Sequence, residues 1–117
     1  MKRDISYIEK IYCAVRGIEA ESLHTRTRKR YTVEARQVIM KLAEDYGNSI
    51  GSPADYFNLD RTTGIHARKH ADNLTDTDKC LREEVDIMRF ILDSEDAYRS
   101  WLYGNKKRKI YFKAVEI

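Results

Sequence analysis

The run FNLDRTTGIHARKH, residues 57–70, sets Asp60, Arg61, Thr62 and Thr63 side by side and follows them with His66, Arg68, Lys69 and His70. Two kinds of chemistry could use such a set. His66 and His70 stand at the i, i+4 spacing with which H-E-x-x-H helices hold zinc, but Ala67 occupies the position of the catalytic Glu. Without that carboxylate there is no general base for a metal-bound water, and no metal site is expected. The second chemistry is hydrogen bonding to nucleic-acid bases. Asp60 can accept from a cytosine or adenine amino group, Arg61 can fork onto guanine O6 and N7, and the Thr62 methyl can touch thymine. Thr63 and His66, a turn or less further along, would lie near phosphates, where backbone amides and the helix dipole also act. The same residues equally suit a solvated helix that Asp60 merely caps.

Cys13 and Cys80 stand alone, without short Cys spacing or a secretory signal, which points to reduced, partly buried thiols and a cytoplasmic protein. Neither has the local pattern of a Cys-His nucleophile. No P-loop of the form G-x-x-x-x-G-K-[ST] is present, so neither a nucleotide cofactor nor an enzymatic activity is expected.

Such side chains need elements to carry them, and the chain is sparsely punctuated. Its 117 residues contain five Gly and one Pro, with 42% hydrophobic and 35% charged residues, the profile of one all-α domain with a heavily charged surface. Ile5, Ile8, Tyr12 and Val15 recur at helical spacing behind Asp4, and Gly17 ends that first helix. IEAESLH predicts a short helical turn, and TRTRKRY a basic loop. Thr32 is the expected cap of a second helix with a stripe of Ala35, Val38, Ile39, Leu42, Ala43 and Tyr46. Pro53 suits the first position of a short helix, Asn58 and Leu59 a tight connection, and Asp60 the cap of a helix turning Ile65, Ala67 and Ala71 inward. A long final helix is expected to start at Thr75 and run through Leu81, Val85, Met88 and Leu92 to about Tyr103. Trp101, Tyr98 and Tyr103 near its end read as a packing or dimer surface.

Residues 104–117 form a basic C-terminal extension, with KKRK at 106–109. The alternation of Ile110, Phe112 and Ala114 suits a short terminal strand or an extended tail, through which a homodimer could form. No apolar run spans a bilayer.

Net charge is only +3, but its distribution is uneven. Residues 24–36 carry Arg26, Arg28, Lys29, Arg30 and Arg36 against Glu34 alone, whereas residues 72–96 carry nine acids against three bases. Such segregation can offer a polyanion a positive face, or leave two solvated faces.

A short helix, a tight connection and a second helix opening on polar side chains is the layout of a helix-turn-helix. Together the basic loop Arg26 to Arg30, ARQVIMKLA at 35–43 and FNLDRTTGIHARK at 57–69 are similar to the C-terminal DNA-binding domain of the bacterial replication initiator DnaA. In that family the corresponding stretches read R-Q-x-A-M-x-L-A and F-G-G-R-D-H-T-T-V-x-H-A. The similarity covers roughly residues 4–93, within a domain of residues 1–103. It implies a Trp-repressor-like fold that binds double-stranded DNA. By position, Arg28, flanked by Arg26 and Arg30, resembles the arginine that the family inserts into the minor groove. Arg36 and Gln37 resemble its phosphate-contacting pair. Asp60, Arg61 and Thr62 fall at its major-groove readers, with Thr63 and His66 at backbone-contacting positions. Two departures fall on this face: Arg61 replaces a histidine, and Asn58-Leu59 shortens G-G-R. A DNA-binding fold without its motor is expected of a replication or transcription factor, such as a phage or mobile element carries. The alternative is a protein-interaction or dimerisation module on the same scaffold.

Overall fold

The computed structural model describes residues 2–49 and 51–104, whose regular elements are all helices, with no strand among them. The expected terminal strand and the KKRK cluster lie outside the described residues.

Helix α1 spans Ile5–Arg16, buries Tyr7, Ile8 and Tyr12, and ends where Gly17 takes a left-handed φ of 69° and donates its N–H to the Cys13 carbonyl. A 3-10 turn at Ala20–His24 then buries Leu23. Helix α2, Arg30–Asp45, buries Ala35, Val38, Ile39, Leu42 and Ala43, the expected stripe. Its start differs from expectation. The Lys29 carbonyl accepts from the N–H groups of Thr32 and Val33, so Thr32 lies inside the first turn and does not cap it. Thr32 is fully buried, and its hydroxyl has no hydrogen-bond partner.

Helix α3, Gly51–Tyr56, carries Pro53 in its first turn, where a missing N–H costs little. Helix α4, Arg61–Thr77, turns Gly64, Ala67 and Ala71 inward. Ile65, expected inside, is 52% exposed. The inward positions step by three and four from Gly64, which leaves Ile65 about 100° around the helix. Thr75 does not begin a new helix either: its hydroxyl bonds back to the Ala71 carbonyl, and α4 continues to Thr77. Asp78 is the cap instead. It accepts from the Leu81 N–H and opens α5, Lys79–Leu92, whose buried Leu81, Val85, Met88 and Leu92 match the expected stripe.

The expected single final helix is broken between α5 and α6, residues 95–104. Arg3 explains part of the break. Its buried Nε donates to the Leu92 carbonyl at 2.8 Å, occupying the acceptor that the backbone N–H of a continuing helix would use. Ser94 Oγ then accepts from the Ala97 N–H at 3.2 Å, a capping contact for α6. Tyr98 and Trp101 settle on α1, each with its ring centroid 5.0 Å from Tyr7. Helix α2 is central, packed against α1, the 3-10 turn, α3 and α4, while α5 lies on α1 and α4. Among the described residues no helix is long and apolar enough to cross a membrane.

Candidate nucleic-acid interface

The site begins with the turn between α3 and α4. Phe57 is buried, Asn58 adopts a left-handed φ of 57°, and the Leu59 N–H reaches back 2.8 Å to the Ala54 carbonyl. Asparagine tolerates this conformation better than most residues, so two positions suffice to reverse the chain. Asp60 is extended, and one carboxylate oxygen accepts from Thr63 twice, from its N–H at 2.8 Å and its hydroxyl at 2.9 Å. Those bonds, the backbone one first, hold the Asp60 carboxyl below its ordinary value. Arg61, Thr62, Thr63 and His66 stand exposed behind it. Inward, Gly64, Ala67 and Ala71 are buried, and α4 packs against α2.

The basic loop, residues 25–29, is fastened from below by Arg36. Its Nε donates to the Leu23 carbonyl at 2.8 Å, and its terminal nitrogens donate to the carbonyls of Thr27, at 3.3 Å, and Thr25. Burial lowers its pKa, and the side chain is 9% exposed. The structure therefore places Arg36 beneath the loop, with its donors facing carbonyls. Arg26 and Arg28 are exposed, as is Arg30, whose Nε also contacts Glu34 at 3.0 Å.

Gln37 is half-buried and lines an open groove of about 510 Å³ between α2 and the distal half of α4, with Arg28, Arg30, His70, Asn73 and Thr77 also on its walls. Sequence reasoning did not assign His70, Asn73 and Thr77. Their signal is spacing: His66, His70, Asn73 and Thr77 follow at steps of four, three and four, one polar stripe along α4. The stripe runs from the exposed first turn to the basic loop. Arg68 is paired with Asp45 at 2.8 Å and Glu44 at 3.4 Å. No His, Cys, Asp and Glu cluster suited to a metal ion occurs among the described residues.

Compared with curated proteins, the chain is 38% identical over 92 residues to the chromosomal replication initiator protein DnaA of Flavobacterium psychrophilum, covering 74% of this chain. It is 36% identical over 90 residues to DnaA of Bacteroides thetaiotaomicron and 32% identical over 90 residues to that of Bacteroides fragilis, covering 75% of this chain in each case. This chain is related to a segment of DnaA. It spans 19% of the length of each of these relatives. No family model matches, and no solved structure does. In the DnaA-like segment the three stretches that carry the resemblance fall on the basic loop, the middle and second half of α2, and the turn with the first half of α4.

Proposed function

We propose that this chain binds double-stranded DNA sequence-specifically in a replication-associated role, with α3, its turn and α4 acting as a helix-turn-helix. The first turn of α4 enters the major groove, where Asp60, Arg61 and Thr62 face base edges and Thr63 and His66 the sugar-phosphate backbone. Arg28, with Arg26 and Arg30 beside it, enters a neighbouring minor groove, where negative potential concentrates. Gln37 contacts phosphate, and Arg36 acts through the loop it holds. One observation carries this reading: the exposed Arg61, Thr62, Thr63 and His66 open a helix seated on small residues, and a polar stripe joins them to a groove bordered by Arg28 and Arg30.

The decisive experiment is selection of bound sites from a random duplex library, then fluorescence anisotropy on the enriched duplex at several salt concentrations. An enriched motif bound with a steep salt dependence supports the reading; salt-sensitive binding without a motif reduces it to nonspecific coating of DNA. A second reading has an observation of its own. Phe90 is 81% exposed and Ile87 52%, three residues apart on α5, an apolar pair that a protein partner could cover. Absence of duplex binding would favour that interaction module.

A further inference from the structure

The loop that follows His24 and the helix that follows Asp60 are held from behind by one buried carboxylate. Glu9, on α1, is 6% exposed, and both its oxygens are engaged. Oε2 lies 2.7 Å from His24 Nε2, and Oε1 accepts from the Tyr56 hydroxyl at 2.9 Å. Aromatic rings close around the contact: the His24 ring centroid is 5.0 Å from that of Tyr56 and 5.2 Å from that of Phe57. Packing alone does not call for an acid here. A carboxylate withdrawn from water is tolerated only against charged or hydrogen-bonding partners, and an apolar side chain would fill the same space.

The partners stand at telling places in the chain. His24 ends the 3-10 turn, and Arg26 and Arg28 follow within four residues; Tyr56 ends α3, and Arg61 follows five residues later. Binding groups must hold their relative positions to about 0.5 Å to act together. Short chain segments therefore connect both proposed DNA-facing elements to the same two oxygens.

We propose that Glu9 is a positioning residue for DNA recognition, its carboxylate fixing the basic loop relative to the first turn of α4. This rests on the DNA-binding reading above. Glu9 acts without touching the duplex, through His24 on one side and Tyr56 on the other.

Glu9→Leu removes both hydrogen bonds but keeps a side chain of similar size, whereas Glu9→Gln retains an acceptor for Tyr56 and a polar group for His24. Spin labels at Arg26→Cys and Thr62→Cys, in a Cys80→Ser background, report the distance between loop and helix by pulsed dipolar spectroscopy without DNA. The distribution should broaden or shift in Glu9→Leu and return towards the parent in Glu9→Gln. Superimposable distributions in all three would overturn the clasp, whether or not the chain binds DNA. Anisotropy on the enriched duplex and on a scrambled one supplies the second readout. Glu9→Leu should lose at least tenfold on the enriched duplex and less than twofold on the scrambled one, with recovery in Glu9→Gln. Equal loss on both, or none on either, would refute positioning. If Glu9→Leu does not fold, Tyr56→Phe, which removes one hydrogen bond and keeps the ring, should give the same pattern at smaller size. A parent chain that binds neither duplex would refute the DNA reading and the recognition role together, and the spin-label distances would then decide the clasp alone.

Discussion

At the scale of single residues, the two arginines 36 and 61 do different work, and their variants should separate. Arg61 is exposed on the first turn of α4, so Arg61→Ala should cost about 1–3 kcal/mol on the preferred duplex, relax the preference at one base pair and leave the thermal midpoint unchanged. Arg36 is buried against three carbonyls. Arg36→Ala should therefore lower stability by about 2–3 kcal/mol, read by denaturant unfolding, because acceptors are left without donors. Arg36→Lys should recover little, since a single ammonium cannot reproduce the planar fork. If Arg36→Ala unfolds like the parent and weakens every duplex equally, the side chain contacts phosphate after all. The cap at Asp60 was legible in the sequence because capping is local chemistry. The direction of Arg36 was not, because the carbonyls it meets belong to the 3-10 turn and the loop, up to thirteen residues earlier in the chain.

Elements are joined by charge at the end of α2. Asp45 meets Arg68 of α4 at 2.8 Å and Arg89 of α5 at 3.0 Å, so one carboxylate ties three helices. Desolvation pushes its pKa up, but hydrogen bonds from Arg89 and Arg68 outweigh it, and the net shift is downward. A carboxyl depressed in the folded state stabilises above its unfolded value, about 3.9, and that contribution disappears as pH falls through the lower folded value. Thermal melts of the parent and Asp45→Asn should differ at pH 7 and converge below about pH 4; a constant difference would show that the ion pairs contribute nothing. Helix periodicity made α1, α2 and the α5 stripe readable. The boundaries at Arg30, Thr77 and Leu92 were not. Each depends on a competition that sequence spacing does not resolve, as when Arg3, eighty-nine residues away, takes the carbonyl of Leu92.

For the whole molecule, the all-α class followed from sparse glycine and proline and from sustained 3.6-residue patterning. The segregation of charge was equally visible, though its placement in space needed the fold. With about five phosphate contacts, log affinity against log salt should fall with a slope of roughly −4 to −5. A slope near zero would remove the duplex from consideration. On the proposed reading, α4 also behaves as a ruler. Its polar stripe carries different chemistry at each end: polar readers at Arg61 and Thr62, and, about 18–24 Å along the helix at 1.5 Å per residue, the stretch Asn73–Thr77 beside the arginine loop. A single copy would then read a site with a head and a tail. Two such sites on one duplex could be written in the same orientation or in opposed ones, and those arrangements would line up bound copies in rows or set them face to face.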